Sequence, residues 1–228
     1  MDYKADFINF MARAEVLTFG DFTTKSGRKT PYFVNTGKYN DGEAITKLGE
    51  FYAHCIMKNC NITEETVLFG PAYKGIPLVI TVAIALFKHH GINIKYCFNR
   101  KEAKTHGEGG EIVGHKLSSG DKVIVIEDVI TAGTAIREVL PIIEQTGATV
   151  EALIVSVNRM EKGQNSEFTA IQEIKKEFGI VTHPIVNVKD VLKHLHNQPL
   201  DGKILIDDEL KSRMESYMSE YCNLEENV

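Results

Sequence analysis

The stretch VIVIEDVITAGTAIREVL, Val123 to Leu140, begins as a strand and ends as an amphipathic helix. Val123 to Ile126 are β-branched without a polar break, the pattern of a strand covered on both faces. Such strands belong to parallel sheets, where ligands bind at the carboxyl ends of the strands. Glu127 and Asp128 stand at that end, followed by Val129, Ile130, Thr131, Ala132, Gly133, Thr134 and Ala135. Two adjacent carboxylates suit a vicinal diol such as that of a ribose, because each accepts a hydrogen bond from a hydroxyl. Small residues after them let backbone amides come close to a phosphate, and the helix that follows points its N-terminus at the anion. The segment has neither the Gly-Lys-Ser/Thr of a P-loop nor the G-x-G-x-x-G of a dinucleotide fold. It reads as a monophosphate cradle beside a ribose clamp, with a solvated strand end and ordinary helix cap as the alternative.

Outward from this stretch, strand and helix alternate. The pattern predicts strands at 66–69, 92–98, 122–126, 150–157 and 180–188, with helices at 75–90, 134–145 and 166–178. Strands joined by crossover helices imply an α/β fold, a doubly wound, mainly parallel sheet flanked by helices. Upstream, Phe7, Phe10, Met11 and Ala14 recur at helical spacing, and Ile45, Leu48, Phe51, Tyr52, Cys55 and Ile56 mark a second helix. Between them two extended pieces flank Ser26-Gly27-Arg28. This region departs from the alternation, so residues 1–40 are expected to form a small hood over the site, within one domain spanning 1–228. A last helix, 208–221, is polar on most faces and is expected at the periphery.

Two further loops share the strand-loop-helix grammar. In FGPAYKGIPL, Gly70-Pro71 and Gly75 frame Tyr73 and Lys74 at another strand end. The lysine offers a point charge for a phosphate or pyrophosphate, or is a plain surface residue. In RKEAKTHGEGGEIVG, residues 100–114, Arg100, Lys101, Lys104 and His106 lie among glycines and acids with almost nothing to bury. A solvated hairpin satisfies that composition; so does a glycine-hinged lid over a polyanionic substrate.

The bulk composition narrows the choice. A hydrophobic fraction of 43% and a charged fraction of 25% are those of a globular protein. A net charge of −5 argues against a broad nucleic-acid surface. Cys55, Cys60, Cys97 and Cys222 form no C-x-x-C pair and read as free thiols of a reducing compartment. The first residues, MDYKADFINFMARAEVL, carry early acids unlike a signal peptide, and the longest apolar run, Ile76 to Phe87, is too short for a bilayer. A cytoplasmic protein with no membrane partner is the expectation.

The three loops, together with FTTKSGRKTPYFVN (residues 22–35), resemble the type I phosphoribosyltransferases. VIVIEDVITAGTA matches the signature of the whole superfamily for 5-phosphoribosyl 1-pyrophosphate (PRPP). FTTKSGRKTPYFVN, GPAYKGIP and RKEAKTHGEGG are similar to the orotate branch, which joins orotate to PRPP and serves pyrimidine biosynthesis. The resemblance implies the type I phosphoribosyltransferase fold, Mg2+ held mainly through PRPP, and a homodimer with shared active sites. It places Lys25, Phe33, Val34, Thr131 and Arg159 around orotate, with Arg159 pairing the carboxylate. It places Tyr73, Lys74, Arg100, Lys101, Lys104, His106, Glu127, Asp128 and the run from Val129 to Ala135 around PRPP. Lys25, Lys104, His106 and Asp128 would be the catalytic set. The sequence departs from the family pattern at Glu127, where aspartate is commoner, and at Val34, where a second aromatic is frequent. It also departs at Thr105, which replaces an acid, and at Asn158, which precedes Arg159 in place of aspartate. A phosphoribosyltransferase for another nucleobase would keep the cradle without the carboxylate partner. A PRPP-sensing regulator on the same fold would bind nucleic acid, against which the acidic balance counts.

Overall fold

In the computed structural model of the chain, residues 2–24, 27–104, 110–130 and 133–225 are described. The elements run α1 (Tyr3–Arg13), β1 (Leu17–Thr23), β2 (Lys29–Val34), a 3-10 turn (Thr36–Lys38), α2 (Gly42–Asn59), β3 (Thr66–Gly70) and α3 (Gly75–His90). Next come β4 (Lys95–Lys104), β5 (Gly110–Gly114), β6 (Lys122–Val129), α4 (Thr134–Glu144) and β7 (Thr149–Asn158). The chain continues with α5 (Ala170–Phe178), β8 (Val181–Asn187), α6 (Val188–Leu195), β9 (Pro199–Leu200), β10 (Lys203–Ile204) and α7 (Asp208–Tyr221).

The hydrophobic run of β6 divides between two cores because successive strand side chains point to opposite faces. Val123 and Val125 pack with Val67, Phe69, Leu153 and Val155 beneath α4 and α5. Ile124 and Ile126 belong to the other cluster, with Leu68, Ile154 and residues of α1, α2, α3, α6 and α7. Each isoleucine so buried contributes about 1.5–3 kcal/mol. The sheet between the cores has the order β5-β4-β3-β6-β7-β8, parallel throughout except for β5, which runs antiparallel at the edge. The doubly wound, mainly parallel α/β sheet is thus what the alternation implied.

Four details differ from the expectation. β6 runs on to Val129, since Glu127 and Val129 keep pairing with Val155 and Val157 of β7. The two acids therefore sit inside the last turn of strand, on opposite faces. β4 begins at Lys95 and extends to Lys104, and it pairs antiparallel with β5. α5 starts at Ala170 rather than 166, because Thr169 and Gln172 form a reciprocal capping box. α6 follows β8 at once, capped the same way by Asn187 and Asp190, where the sequence pattern predicted strand to 188.

The last helix is not peripheral. Leu210, Met214, Tyr217 and Met218 form a buried stripe, and the helix packs on β2 with the Tyr217 ring edge-on to Tyr32. Polar residues dominate by count, but a narrow apolar stripe at i, i+4, i+7 and i+8 is enough to seat a helix.

α2 and α3 touch where Gly49 meets Thr81. A Cβ on Gly49 would lie 2.6 Å from Thr81 Oγ1 and 2.7 Å from the Thr81 carbonyl oxygen. Backbone cannot yield as a side chain can, so Gly49→Ala should separate the helices at a cost of about 2 kcal/mol. Calorimetry should show a melting temperature lower by roughly 4–8 °C; an unchanged value would mean the helices re-pack freely.

Candidate active site

Three chain segments far apart in sequence meet on one carboxylate. Asp128 Oδ2 accepts hydrogen bonds from Lys74 Nζ and from Thr36 Oγ1, both at 2.7 Å, and Thr36 Oγ1 in turn accepts from Lys74 Nζ at 3.2 Å. Asp128 Oδ1 accepts from the Val129 amide at 2.7 Å. Thr36 reaches the site on the 3-10 turn after β2, whose first residues are capped by the Asn35 side chain. The strand end is also braced from behind. Ser156 Oγ of β7 donates to the Asp128 carbonyl at 2.6 Å, and Tyr52 Oη of α2 donates to the Glu127 carbonyl at 2.7 Å. Both are buried hydroxyls that turn two backbone carbonyls into satisfied acceptors.

The two carboxyls titrate in opposite directions. Burial pushes Glu127 above the usual carboxylate range, helped by its hydrogen bond to Asp128. Burial works against ionisation of Asp128 too, but hydrogen bonds from Glu127, Lys74, Thr36 and the Val129 amide outweigh it and hold Asp128 low. The pair therefore shares one negative charge, carried by Asp128. Lys74 is largely solvent-exposed, so its ion pair contributes on the order of 1 kcal/mol or less. That weak tie leaves the lysine free to exchange partners.

The Lys74 loop is tightly folded. A Cβ on Gly70 would fall 2.2 Å from the Gly75 carbonyl oxygen, so glycine is required there. The Gly75 amide donates to the Pro71 carbonyl, the Ala72 amide donates to buried Asn99 Oδ1 at 2.8 Å, and the Ala72–Tyr73 peptide is cis. Tyr73 projects into solvent beside Lys74. Across the strand ends, α4 begins at Thr134 after Gly133, whose φ of 69° puts it in the left-handed region. Glycine has no capping side chain, and among the described residues no side chain caps this helix start. Val129, Ile130 and Ala135 are half-buried around this helix start.

At the far end of the site, Arg159 follows β7 and is buried at 8% exposure. Its guanidinium carbon lies 5.1 Å from the Tyr32 ring centroid, and its Nη2 lies 2.6 Å from Glu161 Oε1. Tyr217 Oη donates to that same Oε1 at 2.7 Å. The Glu161 contact is a charge contact without hydrogen-bond alignment. Among the described residues, Arg159 Nε and Nη2 and Tyr32 Oη have no hydrogen-bond partner. Burial disfavours the Arg159 charge, but Tyr32 and Glu161 beside it outweigh that, and its pKa is raised above the ordinary value. The β1–β2 pair is fastened next to this arginine, because Arg28 donates to the Lys162 and Gly163 carbonyls at 2.9 and 3.3 Å. Phe33 stacks on Phe22 with ring centroids 5.5 Å apart, and Val34 lies against the core, half-buried.

The remaining anticipated residues divide in two. Lys101 lies on β4 with its Nζ 2.7 Å from Glu138 of α4, pointing along the helix and not to Asp128. Arg100 is half-buried on the same strand. Lys25, His106, Thr131, Ala132 and Thr105 lie outside the described residues, as does the side chain of Lys104. Thr36, Tyr52, Asn99, Ser156, Glu161 and Tyr217 were not singled out from sequence. Nothing local marks Thr36 as the partner of a residue 92 positions away, whereas Glu161 stood two places after an arginine already chosen.

Among the described residues no group of three or more His, Cys, Asp or Glu side chains gathers as a metal cage. Asp128 and Glu127 alone could lend oxygens, and most of theirs are engaged by the chain itself.

Comparison with known proteins agrees with this geometry. Residues 35–186 match the family described as "Phosphoribosyl transferase domain". A curated orotate phosphoribosyltransferase of Clostridium beijerinckii is 52% identical over 220 residues, covering 96% of this chain and 97% of the relative. One from Pseudomonas fluorescens is 52% identical over 198 residues, covering 86% and 90%. The crystal structure of the orotate phosphoribosyltransferase of Francisella tularensis superposes with a TM-score of 0.84 at 33% identity, over 96% of this chain and all of that one. The chain belongs to the phosphoribosyltransferases, and within them to the orotate phosphoribosyltransferase family.

The split titration of the acid pair has a measurable sign. Folded Glu127 keeps a proton that it would lose on unfolding, across the window between the ordinary glutamate value and its raised one. The folded state then binds more protons than the unfolded state, so stability falls as pH rises through that window. Glu127→Gln removes that slope. Between about pH 5 and about pH 8 the melting temperature of the variant should gain steadily on that of the parent. A constant difference would show that Glu127 is ionised in the fold.

Proposed function

We propose that the protein catalyses Mg2+-dependent transfer of the 5-phosphoribosyl group from PRPP to orotate, giving orotidine 5′-monophosphate and pyrophosphate in pyrimidine biosynthesis. The observation that carries the reading is the meeting of Lys74 and Thr36 on Asp128 at the carboxyl end of a parallel strand, beside an uncapped helix start. A strand-end carboxylate next to a helix start suits a phosphorylated ribose, and the relatives of about 50% identity are orotate phosphoribosyltransferases.

In this reading the chain is one phosphoribosyltransferase domain, and residues 1–40 contribute the hood. Asp128, with Glu127 beside it, receives the ribose hydroxyls. The run from Val129 to Ala135, including Thr131 and Thr134, wraps the 5′-phosphate. Lys74 leaves Asp128 as the ribose hydroxyls arrive and turns to the pyrophosphate, next to Tyr73. Arg100, Lys101, Lys104 and His106 supply further positive charge from the 100–114 loop. As the C1–oxygen bond to pyrophosphate breaks, orotate N1 forms the new bond to C1. The N1 proton passes to solvent, and Lys25 and His106 are the groups proposed to balance charge. Mg2+ would supply charge neutralisation on the leaving pyrophosphate, brought in mainly with PRPP, and Glu127 and Asp128 are the carboxylates beside it that could lend an oxygen. Preorganised cations aimed at the developing charge are worth more with water excluded. Phe33 packs against the base, Val34 and Thr131 flank it, and Arg159 pairs with its carboxylate. The working unit is a homodimer in which each loop completes the neighbour's site. The cytoplasm is its place of work, supported by four free cysteines that require no oxidising compartment. Among the described residues no helix is long and apolar enough to cross a membrane.

An absorbance assay with PRPP and Mg2+ should show consumption of orotate, and little or none of uracil, hypoxanthine or adenine. Arg159→Ala should lower kcat/KM for orotate by about 100-fold or more, the usual effect of deleting one member of a desolvated charge pair. Unchanged kinetics would overturn the assignment of the base.

The shared loop has a separate test. Lys104→Ala and Arg159→Ala homodimers should each be nearly inactive. After subunit exchange, half of the dimers are mixed and each holds one intact site, so about a quarter of the parent activity should return. No recovery despite demonstrated exchange would place each loop over its own subunit's site.

A further inference from the structure

Beyond the ligand-contacting residues, the surroundings of Arg159 contain groups that the reaction itself does not use. We propose that Glu161 and Tyr217 are positioning residues, which hold the Arg159 guanidinium in the orientation that receives the carboxylate of the base. The inference rests on the reading of Arg159 as the orotate partner and extends it to the C-terminal helix.

The geometry that leads there begins with the backbone. Met160, between the arginine and the glutamate, has φ of 58°, a left-handed conformation that a long side chain rarely adopts. That turn shortens the path between residues 159 and 161, whose side chains an extended backbone would leave on one face but about 7 Å apart. The turn is pinned at several points. The Met160 amide donates to Asn158 Oδ1 at 2.8 Å, and the Asn223 amide donates to the Met160 carbonyl at 3.0 Å. The Lys162 amide donates to the Tyr221 carbonyl at 2.8 Å, and Glu161 pairs with Cys222 in an antiparallel bridge. The end of α7 is thereby fastened to the arginine loop.

The side chains show why such fastening matters. A guanidinium as buried as that of Arg159 requires a countercharge before any substrate arrives. Glu161 provides it at 2.6 Å without aligning on the N–H bonds, so the charge is compensated while the donors stay uncommitted. Tyr217 fixes the glutamate by donating to the same oxygen, and the Tyr32 ring supports the guanidinium from one face. An arginine held this way presents its planar fork already aligned for a second carboxylate, which is where its advantage over lysine lies. Without Glu161 the guanidinium would search several rotamers, and carboxylate recognition would weaken while phosphate and ribose contacts remained.

The test compares binding of orotidine 5′-monophosphate, which carries the base carboxylate, with uridine 5′-monophosphate, which lacks it. The full chain is used, with calorimetry on the parent, Glu161→Gln, Tyr217→Phe and Arg159→Ala. Glu161→Gln should weaken the carboxylate ligand by about tenfold and Tyr217→Phe by about threefold, with uridine 5′-monophosphate unchanged in both. In steady state, KM for orotate should rise with KM for PRPP unmoved. Parallel weakening of both nucleotides, or an unchanged ratio between them, would overturn the proposal by reducing the two residues to structural ones. Tyr217→Phe keeps the buried ring, so it remains informative even where Glu161→Gln folds poorly. If Arg159→Ala itself retains the preference for the carboxylate ligand, the reading of Arg159 fails instead, and the two failures are told apart.

Discussion

A carboxylate at the end of a fully buried strand is costly unless its oxygens are occupied and its charge is answered, because desolvation penalises the ionised form by several kcal/mol. Asp128 meets that condition by drawing on distant parts of the chain, Lys74 from the loop after β3 and Thr36 from the turn after β2, together with the amide of its neighbour Val129. Those partners set much of the architecture. The loop after β3 is held tight enough for Lys74 to arrive, which is why Gly70 and Gly75 cannot carry side chains. The turn after β2 meets the end of β6 at Thr36, and α2 and β7 each lend a hydroxyl to a carbonyl of that strand end.

The same arrangement is what makes the site exchangeable. A deeply buried lysine on Asp128 would be a fixed structural ion pair. Lys74 is instead mostly in water, so the tie to Asp128 is weak and a ribose hydroxyl can replace it. Glu127, kept neutral by burial, adds an acceptor and a donor beside Asp128 without adding a second repelling charge. In the proposed reaction the ligand-free contacts are thus a rehearsal of the liganded ones, with the chain's own groups standing where hydroxyls and pyrophosphate arrive.

Most of this was legible in the sequence where chemistry is local. The alternation of Val123 to Ile126 with the helices around it predicts the parallel sheet, and Glu127 and Asp128 stand at its carboxyl end as read. The strand's extension to Val129 was not legible, because two acids look like a terminus unless their backbones are known to pair with β7. α7 was misjudged for a similar reason: its polar residues outnumber the four that seat it, and only the partner surface on β2 reveals the stripe. Thr36 and Ser156 carry no sequence signal, since a hydroxyl is common everywhere and only the fold brings these two to the acid pair. Long-range convergence is the part of a site that spacing cannot encode.

The two ends of the site therefore differ in kind. The end at Asp128 is built from strand-end carboxyls and the start of a helix, features that the sheet itself supplies. The end beyond Arg159 is built from side chains on a turn with left-handed Met160, pinned by the last residues of the chain. A loop that only had to close over the sheet would have no use for such a turn, which costs about 1–3 kcal/mol at a non-glycine residue. The cost is offset by the hydrogen bonds from α7's end and by the neutralised buried guanidinium that results. The backbone strain at Met160 is therefore placed where the C-terminal helix meets the buried guanidinium, and under the role proposed for Arg159 it serves selection of a carboxylate-bearing base.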